Sequence, residues 1–324
     1  MHSDFSTVAL DALGVLRTRG PDALSFLQGQ LSNDLTGLAA DRALLAGYHN
    51  PQGRVIALLR VVQLTPEDLL AVLPRELVPT VAARLAKFIL RAKVKLADES
   101  QSWRITGLLA GVGGNAERNA ASPAAAASLV AALPAAVDSV ARSADALAVQ
   151  VAQQPLRWLL LAPATRAPLA DAGVPAPPEI WRRAAIAAGE PQVYAATSEE
   201  FVAQMLNLDA VGAIAFDKGC YTGQEVIARA HYRGRVKRRL QRFVTAAPRA
   251  LKPGDAGTLA DGRAFKIVDA VQRADGRWEF LAVAPLIAGE PEPAAPAATA
   301  TTATTATDEH LEAETLPLPY PLPT

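Results

Sequence analysis

The spacing of apolar and polar positions changes several times along the chain, and each change predicts an element. Gly20-Pro21-Asp22 open a helix with Leu24, Leu27 and Leu31 on one face, since proline is tolerated in a first turn. Val55 to Leu64 is an apolar, β-rich run. Leu77, Val81, Leu85, Phe88 and Ile89 return to helical spacing; the alternating Lys93-Val94-Lys95-Leu96 and the run Trp103 to Leu109 then read as strands. A further helix is expected over Arg182 to Ala188, with Trp181 ahead of it. Asp261-Gly262 and Asp275-Gly276 each sit between β-rich stretches, Gly257-Thr258-Leu259, Phe265 to Val271 and Trp278 to Val283. Asp-Gly pairs favour the positive φ angles of tight hairpins, so residues from about Arg238 to Leu286 read as a small antiparallel β domain. The order is mixed α and β without a regular βαβ rhythm, which predicts an α+β protein.

Composition marks two stretches that break this pattern. From Gly111 to Ala148 the chain is alanine-rich and interrupted by Gly113-Gly114, Pro123 and Pro134, which predicts a variable insertion with at most one short helix. From about Gly289 to Thr324 it is nearly all Ala, Thr, Pro and acid, with too few large apolar side chains to offset the entropy of ordering, and is expected to be a disordered tail. The resulting division is 1–237 for the main α+β region, with the variable segment at about 111–148, 238–288 for the β domain, and 289–324 for the acidic tail.

Charge sharpens the picture. The 324 residues carry 32 Lys and Arg against 32 Asp and Glu, a formal net charge of zero, and neutrality argues against a surface built throughout for nucleic acid. The sum is a cancellation: Val226 to Gly254 holds no acid, and Gly289 to Thr324 holds no Lys or Arg. One cysteine excludes an internal disulfide, the repeated thiolates of a zinc ribbon and a self-contained iron–sulfur ligand set. The N-terminus has no basic leader or apolar h-region, and no apolar run is long enough to span a bilayer, so a cytoplasmic protein without membrane insertion is expected.

That cysteine lies in Asp217-Lys218-Gly219-Cys220-Tyr221-Thr222-Gly223-Gln224-Glu225, ahead of a helical run with Val226, Ile227 and Ala230. Thr222 and Glu225 have capping-box spacing, which predicts a helix starting near Gly223 and places Cys220 before its N-terminus. Unpaired amides there, with Lys218 and Arg229, favour a thiolate. Plain alternatives stand beside each reading: a lone cysteine as a small buried hydrophobe, Glu225 as a cap only, and Arg229, Arg233, Arg235, Lys237, Arg238 and Arg239 as a solvated face. His231 and Tyr232 could stack on a flat ligand, and Trp181 could simply be core.

Lys218 to Glu225 resembles the signature of the YgfZ family, folate-binding relatives of the glycine-cleavage aminomethyltransferase. Phe26 to Leu35, Tyr48 to Arg54, Trp181-Arg182-Arg183 through Gly189-Glu190-Pro191, and Gln204 to Leu208 are similar to further family segments in the same order. The likeness covers about Leu10 to Leu96 and Pro178 to Leu286. It implies aminomethyltransferase-like folate-binding domains around a central site, a small C-terminal antiparallel β-barrel, tetrahydrofolate or another folate as cofactor, and a role in assembling or repairing iron–sulfur clusters in client enzymes, including those that modify tRNA. It makes Cys220 the essential thiol, assigns folate contacts to Asn33, Asn50, Trp181, Lys218, Tyr221, Gln224, Glu225, Arg229 and Arg233, and implies no metal site.

Departures bear on the activity. Ala57 and Leu58 stand where aminomethyltransferases carry adjacent aspartates, and neither can accept a proton, which argues against simple aminomethyl transfer. Ala187 stands in place of a glutamate, and Leu13 where some relatives carry an aromatic. The readings to be separated are a folate-binding iron–sulfur accessory protein, a folate-dependent aminomethyltransferase, and an RNA-binding module tracking phosphates with Arg229 to Arg242. Against the last stand the lack of repeated aromatic platforms and the acidic tail.

Overall fold

A computed structural model describes residues 5–110, 132–166, 173–234, 236–286 and 310–323. Leu13–Arg19 (β2), Leu44–His49 (β3), Val55–Thr65 (β4), Asp68–Pro74 (β5) and Lys95–Asp98 (β6) form an antiparallel sheet in the order β3-β4-β5-β2-β6. Phe5–Ala9 (β1), Trp103–Ala110 (β7), Val140–Arg142 (β8), Leu147–Gln153 (β9), Leu156–Pro163 (β10) and Val174–Pro175 (β11) form a second, in the order β11-β1-β7-β10-β9-β8.

Period-two alternation explains how the sheets share a core. In β5, Leu70 and Val72 join Ile105, Leu109, Val149, Leu159 and Leu161 of the second sheet. Leu69, Ala71 and Leu73 point the other way, into a core with Leu27, Val78 and Val81. Both faces of this sheet are therefore covered, which is why Val55 to Leu64 reads as a nearly continuous apolar run. Among the described residues four helices flank the sheets: Ala23–Gln28 (α1), Val78–Ala86 (α2), Pro178–Ala187 (α3) and Gln224–Tyr232 (α4). Two are shifted from expectation. Helix α1 stops before Leu31, which is still fully buried, and Trp181 lies inside α3 rather than ahead of it.

The third sheet carries a larger difference. Arg238–Thr245 (β12), Ala256–Leu259 (β13), Ala264–Gln272 (β14) and Trp278–Pro285 (β15) form the expected meander, with Gly262 at φ 83° and Gly276 at φ 81° in its hairpins. Phe243, Phe265, Ile267 and Phe280 fill its interior, while Leu240, Val268 and Leu281 face the main core. Contrary to the expectation of disorder over 289–324, His310–Leu311 (β16) and Ala313–Leu316 (β17) extend this sheet at opposite edges, in the order β16-β13-β14-β15-β12-β17. One short segment thus bridges β13 and β12 and nearly closes the barrel. Composition misjudged it because strand addition needs main-chain partners and only a few apolar contacts, here Leu311 and Ala313 against the barrel core.

The alanine-rich segment also differs from expectation where it is described. Residues 132–148 contribute β8 and the start of β9, with Val140 and Leu147 buried; residues 111–131 and 287–309 lie outside the described residues. Among the described residues no helix is long and apolar enough to cross a membrane.

Candidate functional site

A cavity of about 550 Å³ lies where the two sheets, α3 and the barrel meet, within the roughly 300–1,000 Å³ usual for small-molecule sites. Helix α3 presents Trp181 and Arg182 to it, the turn after α3 presents Glu190, and β14 presents Asp269. Gly107 of β7 makes room for the indole: a Cβ there would sit 2.4 Å from Trp181 Cε3. Gly107→Ala is expected to push Trp181 out of place, shifting its fluorescence emission and reducing the cavity's capacity for ligand; unchanged emission would show that the wall yields instead.

Three charge pairs surround this aromatic wall. Arg157 is fully buried, donates from Nη2 to Glu190 Oε1 at 2.6 Å, and lies 5.0 Å from the centre of the Trp181 ring. Its Nε and Nη1 have no acceptor among the described residues. Arg182 Nε donates to Asp269 Oδ1 at 2.5 Å, and Tyr194 donates its hydroxyl to Asp269 Oδ2 at 3.0 Å. Burial raises the Asp269 pKa while Arg182 and Tyr194 pull it down; burial and Asp269 raise that of Tyr194, which keeps the phenol a donor. Arg60, also on the wall, pairs with Asp138 from the alanine-rich segment.

None of these pairs was among the sequence-derived candidates. A signal existed for two of them: Arg60 and Arg157 are each a lone charge inside an otherwise apolar strand, while Asp269 shares its strand with Lys266. Their partners are distant in sequence and lack any local mark. Leu13 and Leu58 line the cavity as aliphatic wall, and Ala57 is fully buried, so no carboxylate occupies either position of the aspartate pair.

The cysteine loop forms a second cluster. Lys218 Nζ donates to the carbonyls of Gln28 and Leu31, both at 2.6 Å, and of Asn33 at 2.9 Å, fastening the loop to the end of α1. Burial lowers its pKa to about 8, against the upward pull of Asp34. Asn33 Nδ2 donates to Leu45 O at 2.7 Å and Gly212 O at 2.9 Å, bracing from behind a wall that includes Leu45 and Val211. Asn50 Oδ1 accepts from the backbone N–H groups of Gln52 and Arg54, both at 3.0 Å, and its Nδ2 donates to Glu199 at 2.8 Å. That turn supports the start of α4: Gly223, at φ 84°, leaves no space for a Cβ, which would meet Asn50 O at 2.5 Å.

Helix α4 forms as expected, but the Thr222–Glu225 capping box does not. Gly223 in the left-handed region occupies the N-cap position, and no side chain caps the helix. Cys220, Glu225, Arg229 and Arg233 are exposed, and the two arginines have no ion pair among the described residues. Tyr221 is buried beneath Lys218, whose Nζ is 5.1 Å from its ring centre, and Gln224 Nε2 is 3.4 Å from Lys218 O. Of the ten residues singled out from sequence, Trp181 lines the cavity; Asn33, Asn50, Lys218, Cys220, Tyr221, Gln224, Glu225, Arg229 and Arg233 do not. Among the described residues no cluster of His, Cys, Asp and Glu is arranged to hold a metal.

This architecture is similar to the crystal structure of glycine cleavage system aminomethyltransferase T from Bartonella henselae, with a TM-score of 0.65 over 88% of this chain and 79% of that one at 15% sequence identity. The chain therefore has an aminomethyltransferase fold with a cavity where its sheets, α3 and barrel meet. No protein-family model matches it. The tRNA-modifying protein YgfZ of Photorhabdus laumondii subsp. laumondii is 31% identical over 252 residues, covering 76% of this chain and 73% of that protein. The tRNA-modifying protein YgfZ of Serratia proteamaculans is 29% identical over 284 residues, covering 85% and 83%. The chain belongs to the YgfZ family.

Proposed function

We propose that this protein binds a folate in its central cavity and supports tRNA modification by maintaining iron–sulfur clusters in client enzymes, with Cys220 as the working thiol. The observation that carries the reading is the cavity, with an aromatic and aliphatic wall flanked by a few fixed polar groups. A pterin is flat and needs both a nonpolar face and polar edges. Trp181 supplies the first, Glu190 and Arg182 the second, and the unpartnered donors of buried Arg157 lie beside Trp181. When bound, tetrahydrofolate supplies a carrier of one-carbon units; Leu58 in the wall offers no general base, which favours an accessory role over aminomethyl transfer.

Cys220 belongs to a different surface. It is exposed on a loop held by Lys218 and followed by exposed Arg229 and Arg233, which have no ion pair among the described residues, an arrangement suited to an acidic client. One thiol cannot retain a cluster, so its contact with a client's cluster is transient and shared. The test is a tetrahydrofolate titration of wild type, Trp181→Ala and Cys220→Ala, read beside protection of a radical-type iron–sulfur enzyme that modifies tRNA. Trp181→Ala is expected to weaken folate binding by about tenfold or more through lost aromatic contact. Cys220→Ala should bind folate normally and lose protection. Full protection by Cys220→Ala sinks the thiol's role; absence of folate binding by wild type sinks the cavity's.

A further inference from the structure

The 310–323 segment does more than close the barrel. Beyond β17, Tyr320 donates its hydroxyl to Gly189 O at 2.7 Å and accepts from Asn207 Nδ2 at 3.4 Å. Burial raises the phenol's pKa to about 12, so it stays a donor at neutral pH. Gly189 sits just past the end of α3, where helix geometry leaves carbonyls without intrahelical partners. It has φ +66°, and a Cβ on it would come within 2.7 Å of Leu318 Cδ2 and 2.9 Å of Tyr320 Cε1. The segment is anchored on either side of this contact, by Arg242 Nη1 donating to Pro317 O and Arg239 Nη2 donating to Pro323 O, both at 3.4 Å.

The residues immediately after Gly189, Glu190, Pro191 and Gln192, all line the cavity, and Glu190 holds Arg157, which lies over Trp181. We propose that Tyr320 is a positioning residue for the ligand cavity: by fixing the Gly189 turn it holds Glu190 in register with Arg157 and Trp181. The inference rests on the folate reading of that cavity. Docking of 310–323 and occupation of the cavity then reinforce one another, because coupling between two binding events is reciprocal.

The experiment measures tetrahydrofolate affinity and Tm for wild type, Tyr320→Phe and Tyr320→Ala, together with a chain ended after Glu309 and supplied with the 310–323 peptide. Tyr320→Phe keeps the ring and loses the hydroxyl's bond to Gly189 O and its weaker one from Asn207 Nδ2, so about a five- to tenfold loss of affinity is expected without a matching fall in Tm. Tyr320→Ala should lose more, and the peptide should restore affinity to the shortened chain. Unchanged affinity in both Tyr320 variants overturns the proposal, whether or not the shortened chain folds. If wild type binds no tetrahydrofolate, the cavity reading fails and hydrogen exchange of the ligand-free protein decides. Faster exchange at the Gly189 and Glu190 amides in Tyr320→Ala than in wild type then supports the positioning role, and equal exchange ends it.

Discussion

Asp209→Ala is expected to destabilise the protein by about 3–5 kcal/mol, the usual penalty for stripping one partner from a buried ion pair. Arg239, on the first barrel strand, donates from both terminal nitrogens to Asp209, each at 2.9 Å, and both side chains are 4% exposed. The same guanidinium donates to Gln204 O at 3.1 Å and approaches Asn207 Oδ1 at 3.4 Å, so the pair knits the barrel to the loop beneath it. Without the carboxylate, a cation remains in a site closed to water. Urea denaturation of Asp209→Ala and of the double variant Asp209→Leu, Arg239→Met separates the terms. The double variant should recover most of the loss, because an apolar pair leaves no charge to desolvate. A single variant within about 1 kcal/mol of wild type would mean that water reaches Arg239.

Acid should weaken the fold through His49. The imidazole at the end of β3 is 1% exposed, and burial lowers its pKa from 6.5 to about 3. The unfolded chain therefore takes up a proton below about pH 6.5 that the folded chain refuses, so stability is full above that pH and falls as the pH drops towards 3. The slope approaches 1.4 kcal/mol per pH unit, or on the order of 3 kcal/mol between pH 7 and 4.5. Denaturation of wild type and His49→Leu at both values isolates the contribution, since carboxylates common to both cancel. Wild type should lose about that much more than the variant; equal losses would show that His49 is protonated in place. The consequence reaches the cysteine loop, because the His49 ring lies 6.3 Å from that of Tyr221.

Much of the architecture was legible where a local pattern carried it. The Val55 to Leu64 run, the period of α2 and the Asp-Gly hairpins each depend on neighbouring residues, and each appears nearly where expected. The failures share a cause: their determinants lie elsewhere in the chain. The capping box had the right spacing, yet the packing of Gly223 on Asn50 turned the backbone into the left-handed region and excluded it. The polar 310–316 stretch has little tendency of its own to order, and its partners are β12 and β13. Similarly, Lys218 reads as a charge beside a thiol, while three carbonyls near α1 absorb its hydrogens. The Cys220 motif was visible as a unit, but the Arg157–Glu190 and Arg182–Asp269 pairs join residues with no shared motif, and only the cavity reveals them.

A barrel closed by one strap has an unusual relation to solubility. While residues 310–316 are docked, Arg242–Thr245 of β12 and Thr258–Leu259 of β13 have their outer edges paired. Release of that single segment uncovers two pairing edges at once, on either side of a sheet lined with phenylalanines, and open edges of that kind recruit strands from other molecules. The strap is therefore also the guard against self-association, and conditions that loosen it convert the barrel's own seam into a template for aggregation.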